Sequence, residues 1–111
     1  MARIKKTPHY NCPVEATLDV IGGKWKVVIL FWLQGSVYRF AELRRKIPDI
    51  SERMLTQQLR ELEAHGVVLR KVYAEVPPKV EYSLTPYGRS LSPITALMCQ
   101  WGKKHLARIS S

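Results

Sequence analysis

With 111 residues, 46% of them hydrophobic, the chain is long enough for one domain with a modest core and too apolar for a disordered polymer. Its 18 Lys and Arg against 9 Asp and Glu leave a formal charge of +9, which favours an anionic polymer or surface as partner. Two cysteines, Cys12 and Cys99, are too few for a disulfide-built secreted fold. Met1 to Lys6 does not lead into a signal-peptide stretch, and the longest apolar run, Val27 to Leu33, is far shorter than the ~20 residues that span a bilayer. A reduced, cytoplasmic and nucleoid-associated protein with no membrane partner is expected.

Residues 1–12 are basic (Arg3, Lys5, Lys6), lack periodicity and read as an arm. Pro13 suits the first position of a helix running to about Val20, with Leu18 and Ile21 on its apolar side, until Gly22-Gly23 breaks it. Lys24 to Gln34 predicts a second helix, apolar nearly all round through Trp25, Val28, Ile29, Trp32 and Leu33, which belongs at the centre of the domain. Gly35 closes it. Val37-Tyr38-Arg39 is a short extended piece able to add a third strand to a later hairpin. Phe40, Leu43 and Ile47 then recur at helical spacing, and Pro48-Asp49-Ile50 turns into the next helix.

Ile50 to Gly66 organises the rest. Ser51 is a good N-cap and Gly66 a good residue to leave a helix in the left-handed conformation. Leu55, Leu59 and Leu62 make one apolar face; Arg53, Gln57 and Arg60 recur with the same spacing on another, beside Ser51 and Thr56. Arg and Gln can make bidentate contacts to guanine and adenine edges, and Ser or Thr can hold a phosphate or a base. A charged helical face is often no more than solvated, but two β-rich runs follow, residues 67–73 and 80–84. They flank a turn with two prolines that ends in Lys79. Helix, tight turn, helix, then a hairpin with a basic tip is the winged helix-turn-helix layout. Arg39, just before the supporting helix, and Arg44, Arg45 and Lys46 on it add to the basic surface expected to meet DNA.

Thr85 and Pro86 then predict a helix start. Leu91, Ile94, Met98 and Trp101 recur at alternating spacings of three and four, a narrow heptad-like seam, and Pro93 should kink or interrupt the helix. Such a strip can pack on its own domain, on a partner subunit or on both; a share in a two-fold dimer, together with Leu18, is expected. The fold class is therefore mainly α with a small β-hairpin. Its expected parts are a basic arm (1–12), a winged helix-turn-helix domain (13–84) and a C-terminal helix (85–111) that completes the domain and the dimer interface.

Catalytic and metal chemistry have no foothold. His9, His65 and His105 are isolated, with none of the His/Cys spacing of a zinc site. Gly22-Gly23-Lys24 lacks the full phosphate-loop pattern. Glu61 and Glu63 do not face each other on a helix, and no nucleophile–base pair is visible. No enzyme, metal or cofactor is expected. The competing reading is a winged helix that docks RNA or a protein through its basic face. Single-stranded RNA wants exposed aromatics for stacking, and here the tryptophans lie in apolar helical stripes.

Cys12-Pro13-Val14, Gly22-Gly23-Lys24-Trp25, Phe40-Ala41-Glu42-Leu43, Ile50-Ser51-Glu52-Arg53-Met54-Leu55, Leu59-Arg60-Glu61-Leu62 and Tyr82-Ser83-Leu84-Thr85-Pro86-Tyr87-Gly88, in that order, resemble the HxlR-type bacterial transcriptional regulators, a winged-helix group related to MarR. The resemblance covers roughly residues 10–107. It implies a homodimer built from the terminal helices, a recognition helix in each major groove of double-stranded DNA and a wing near the adjacent minor groove. Carried onto this chain, the readers would be Ser51, Arg53, Thr56, Gln57 and Arg60, with Lys79 tipping the wing. In several members the cysteine before the Pro-Val step, here Cys12, senses oxidants or electrophiles, which leaves room for an oxidant or small-molecule effector. Cys12 is next to a helix start and near Lys5 and Lys6 in sequence, surroundings that favour a reactive thiolate; a buried, inert cysteine is the other reading. Cys99, one place past Met98, reads as a packing residue.

Overall fold

The computed structural model describes residues 9–110, so Arg3, Lys5 and Lys6 of the expected arm lie outside the described residues. The elements in order are α1 (Pro13–Ile21), α2 (Trp25–Leu33), α3 (Phe40–Lys46), α4 (Glu52–Ala64), β1 (Val68–Tyr73), β2 (Lys79–Leu84), α5 (Pro86–Arg89) and α6 (Ser92–Ile109). The mainly helical fold with one antiparallel hairpin agrees with the sequence reading.

α1 begins at Pro13, and the Glu15 carboxylate accepts from the backbone N–H groups of Asn11 and Cys12, satisfying donors the helix itself leaves unpaired. It ends where the Gly22 N–H donates to the Leu18 carbonyl at 2.8 Å; a Cβ at Gly22 would lie only 2.3 Å from that oxygen. Gly23 follows at φ +85°, a conformation glycine adopts at little cost. α2 is the axle of the domain: it packs against α3, α4, α6 and β2, and it buries Ile29, Leu30 and Leu33. Trp25, Val28 and Trp32 sit at the margin of the core, half-buried against it.

α4 starts as its sequence dictates. The Ser51 hydroxyl accepts from the Met54 N–H at 3.1 Å, and Gly66 takes φ +76° just past the end. Leu55, Leu59 and Leu62 are fully buried, and truncating such a leucine to alanine typically costs about 2–5 kcal/mol. In the hairpin, Val68 pairs with Leu84, Arg70 with Tyr82, Lys71 with Glu81 and Tyr73 with Lys79. Val68 and Leu84 anchor its root in the core. The third strand expected at residues 37–39 reduces to a single bridge, in which Tyr38 and Tyr82 exchange backbone bonds of 3.0 and 2.8 Å.

The C-terminal segment is two helices. α5 is capped by the Thr85 hydroxyl, which accepts from the Gly88 N–H at 2.9 Å, and it stops at Arg89. Pro93 falls in the first turn of α6, where the missing N–H and the ring cost nothing, so the proline interrupts the segment and does not bend it. The break divides the expected seam: Leu91 is the N-cap of α6 and packs against its own core. Ile94, Met98 and Trp101 are exposed, and Thr95, on another side of the same helix, is buried with its hydroxyl donating to Gln34 Oε1 at 2.9 Å. No helix among the described residues is long and apolar enough to cross a membrane.

Candidate nucleic-acid interface

At 100° per residue, burial of Leu55, Leu59 and Leu62 turns Arg53, Gln57, Arg60 and Ala64 to the opposite side of α4, and all four are exposed. Arg53 and Arg60 form no ion pair among the described residues. Their guanidinium groups, always charged and carrying five donors each, face solvent. Ser51 is exposed but already occupied as the cap of α4.

The two flanks of α4 differ. Toward the hairpin, Thr56 is half-buried and lines a groove of about 360 Å³ with Leu59, Arg60, Glu63, Arg70 and Tyr82. Arg70 was not among the expected contacts, although it brings a second guanidinium to the groove beside Arg60. Its signal in the sequence was strand alternation: it shares a strand face with Val68, whose burial points that face toward the domain. Toward α2, Glu61 meets Lys26. The Lys26 ammonium lies 2.5 Å from Glu61 Oε1, with side chains only 11% and 22% exposed, and Gln57 Nε2 donates to Glu61 Oε2 at 3.2 Å. Hydrogen bonding to Lys26 holds the Glu61 carboxyl below its ordinary value against the opposing effect of burial, with Gln57 assisting.

The expected basic residues of α3 have different company. Arg44 is tied to the turn that leads into α4: its Nε donates to the Ile50 carbonyl at 3.4 Å and its Nη1 reaches Glu52 at 3.3 Å. Lys46 lies over the Trp32 ring, 5.4 Å from the centroid. Arg39 and Arg45 are exposed. Arg44, Arg45 and Lys46 also close the last turn of α3, where cations suit the helix dipole.

Lys79 differs from its expected place at the tip of the hairpin. It opens β2, lies 4.4 Å from the Tyr73 ring centroid and pairs with Glu81 at 3.7 Å. Lys71 approaches the same ring at 4.8 Å, and the Tyr73 hydroxyl donates to Glu81 Oε1 at 2.7 Å, which keeps the Glu81 carboxyl below its ordinary range. The turn itself presents Val76, almost wholly exposed, beside two prolines. The cation that sequence composition assigned to the tip is held on the strand by an aromatic ring and a carboxylate.

A second surface is apolar. Val14 and Leu18 on α1 are exposed, as are Ile94, Leu97, Met98 and Trp101 on α6. Trp101 is 68% exposed and stacks on His105 at 5.3 Å. Cys12 is exposed at the N-cap of α1, and Cys99 is half-buried. Nearby, the Tyr10 hydroxyl bonds the Asp19 carboxylate, and that bond is the first cause of a raised phenol pKa. A cavity of about 170 Å³ between α1 and the α5–α6 junction, lined by Ala16, Thr17, Val20, Val67, Tyr87 and Leu91 among others, is smaller than the roughly 300–1,000 Å³ of ordinary ligand pockets. Among the described residues no group of His, Cys, Asp and Glu could hold a metal ion.

Comparison with known proteins agrees with this geometry. The family model described as HxlR-like helix-turn-helix matches residues 20–110. The HTH-type transcriptional regulator YtcD of Bacillus subtilis is 59% identical over 100 residues, 90% of this chain and 79% of that protein. The redox regulator HypR in its oxidised form superposes with a TM-score of 0.81 at 59% identity, covering 84% of this chain and 96% of that one. In its reduced form the TM-score is 0.83 at 55% identity, covering 89% and 98%. Diamide-treated YodB from B. subtilis superposes at 0.71 with 36% identity, covering 86% and 96%.

Proposed function

Since the chain belongs to the HxlR-like helix-turn-helix family, whose members are transcriptional regulators, we propose that it acts as a homodimer on an inverted-repeat operator in double-stranded DNA. The observation that carries this reading is the outer face of α4, where Arg53, Gln57 and Arg60 stand clear of a helix seated on the core by three leucines. Arg53, Gln57 and Arg60 read base edges; Ser51, Thr56, Arg39, Arg44, Arg45, Lys46 and Lys79 meet the phosphate backbone. A partner copy covers Leu18, Ile94, Met98 and Trp101, an apolar surface that is costly to leave in water. Two reading helices so arranged meet half-sites about one turn, ~34 Å, apart.

The input signal we assign to Cys12. HypR is a redox regulator of known oxidised and reduced form, and Cys12 here is an exposed thiol at a helix N-cap. An electrophile adds to its thiolate; peroxide instead takes two electrons and two protons from Cys12 and a second thiol, leaving a disulfide and two waters.

A gel shift of the reduced protein on the intergenic DNA upstream of its own gene, with random duplex as competitor, tests the reading. Retention should survive the competitor and weaken roughly tenfold to a thousandfold over a fourfold rise in salt. Displacement by random DNA as easily as by the specific duplex would sink the operator claim. Diamide should change retention by the wild type and not by Cys12→Ser; equal responses would remove Cys12 as the sensor.

A further inference from the structure

We infer that Glu61 is a positioning residue for sequence choice: it holds the Gln57 amide with its nitrogen turned toward the protein, so that Gln57 offers its carbonyl oxygen to the base pair it faces. The inference rests on the reading of α4 as the DNA-reading helix. Gln57 and Glu61 are four apart on one helix and hence neighbours. Glu61 flanks the exposed face on the α2 side, and Gln57 Nε2 donates to its Oε2 at 3.2 Å. A carboxylate has no donor, so the nitrogen end of the amide, not the oxygen end, must face it.

The carboxylate cannot turn away. Its other oxygen, Oε1, is 2.5 Å from the Lys26 ammonium, and Lys26 lies in α2, whose Ile29, Leu30 and Leu33 are buried. Swinging Glu61 outward would leave a mostly buried ammonium unpaired, which is strongly unfavourable. Each carboxylate oxygen therefore has one fixed task, and the chain from α2 through Lys26 and Glu61 ends on Gln57. Arg53 and Arg60, on the same face, have no such tether among the described residues. Part of the ordering cost of Gln57 is met before DNA arrives.

The chemistry of the major groove turns orientation into selectivity. Adenine presents an N6 amino donor and an N7 acceptor, while guanine presents only acceptors, N7 and O6. A carbonyl-out Gln57 accepts from adenine N6, and its second Nε2 proton remains for N7. Against guanine the same carbonyl meets O6, acceptor against acceptor. N7 is an acceptor on both purines and does not discriminate; a free glutamine could rotate its amide and donate to guanine O6, whereas one held by Glu61 keeps its carbonyl against O6 unless the tether breaks. Glu61 thus selects by excluding the wrong base.

Duplexes recovered from a pool with randomised half-sites, then titrated by fluorescence anisotropy, test this with wild type, Gln57→Ala and Glu61→Gln. Wild type should prefer adenine over guanine by about tenfold at one position in each half-site. Gln57→Ala should lose that preference. Glu61→Gln, whose amide can donate as well as accept, should narrow it to about threefold or less at that position alone, while affinity for random duplex moves by less than about threefold. A merely structural role would weaken all duplexes together. Full preference retained in Glu61→Gln, or no position altered by Gln57→Ala, overturns the inference while leaving a DNA reader in place. A wild type with no preference anywhere overturns the reading of α4 as well. Should Glu61→Gln fail to fold, side-chain amide NMR of the wild type decides. A slowly exchanging Gln57 Nε2 proton whose shift follows the titration of Glu61 supports the inference, and a freely averaging pair defeats it.

Discussion

The two exposed faces of this domain are stabilised in opposite ways. The outer side of α4 is polar, and its leucines are already buried, so water is a good partner for Arg53, Gln57 and Arg60 until a better one arrives. The α6 stripe has the reverse balance. Ile94, Leu97, Met98 and Trp101 are exposed in one row, Leu97 at 64% and Trp101 at 68%, and its own domain is packed against a different side of the helix, through Thr95. The first face is complete without a ligand and waits for a polyanion. The second is incomplete without an apolar cover. The two surfaces should therefore fail differently: one in sequence choice and salt dependence, the other in assembly.

The largest effect should come from the apolar stripe. In a two-fold interface each residue counts twice, and a central tryptophan truncated to alanine costs about 2 kcal/mol at each copy. Trp101→Ala is therefore expected to weaken self-association about a thousandfold, read by sedimentation equilibrium, with the monomer keeping its helical spectrum. An unchanged association constant would detach the stripe from the interface. Next is the junction behind both faces. Gly88 in α5 approaches so closely that a Cβ would lie 2.0 Å from the Val67 carbonyl oxygen, where backbone meets backbone and no side chain can give way. Gly88→Ala should destabilise the fold by about 3 kcal/mol in urea unfolding. Loss of less than about 1 kcal/mol would show that α5 can shift off Val67 without disturbing either face.

A smaller and more selective effect is expected on the polar face. Arg53→Ala should cost about 2 kcal/mol on the preferred duplex, with little loss on random DNA, if the guanidinium reads a base edge. Equal losses on both duplexes, with the salt slope reduced by about one contact, would reassign it to a phosphate. Arg70→Ala is the matched comparison, because that groove residue is expected to show the phosphate pattern.

These contrasts also separate what local sequence encodes from what it does not. The bounds of α4 were legible because Ser51 and Gly66 act within one turn of the backbone they cap. Its outer stripe was legible because periodicity alone opposes Arg53, Gln57 and Arg60 to the buried leucines. The Lys26–Glu61 pair was not, since the partners lie 35 residues apart and nothing local joins them. Lys79 was misplaced because turn composition marks the tip, whereas only the strand register brings it beside Tyr73. Leu91 was drawn into the seam by a heptad count that runs through Pro93. The helix is interrupted before that proline, between Arg89 and Ser92, and Leu91 at the N-cap of α6 packs against the core.

The pair hidden from the sequence carries the smallest and most readily isolated prediction. Lys26 holds the Glu61 carboxyl below its ordinary value of 4.5, so the folded chain releases that proton more readily than the unfolded one. Above 4.5 both states have Glu61 ionised, and the stabilisation by Lys26 is present in full. As pH falls from there toward the native value, the unfolded chain takes up a proton that the native chain refuses, and the contribution is lost. Glu81, lowered by Tyr73 in the hairpin, adds a loss of the same sign. The two can be told apart by substitution: Glu61→Gln should be less stable than wild type at pH 7 and show a shallower fall in melting temperature on acidification, whereas Glu81→Gln, half-buried on the hairpin and still able to accept from Tyr73, should lower the neutral value less. Parallel acid limbs for wild type and Glu61→Gln would mean that Lys26 stabilises α4 by packing its methylene stem against the helix and not by holding the Glu61 charge.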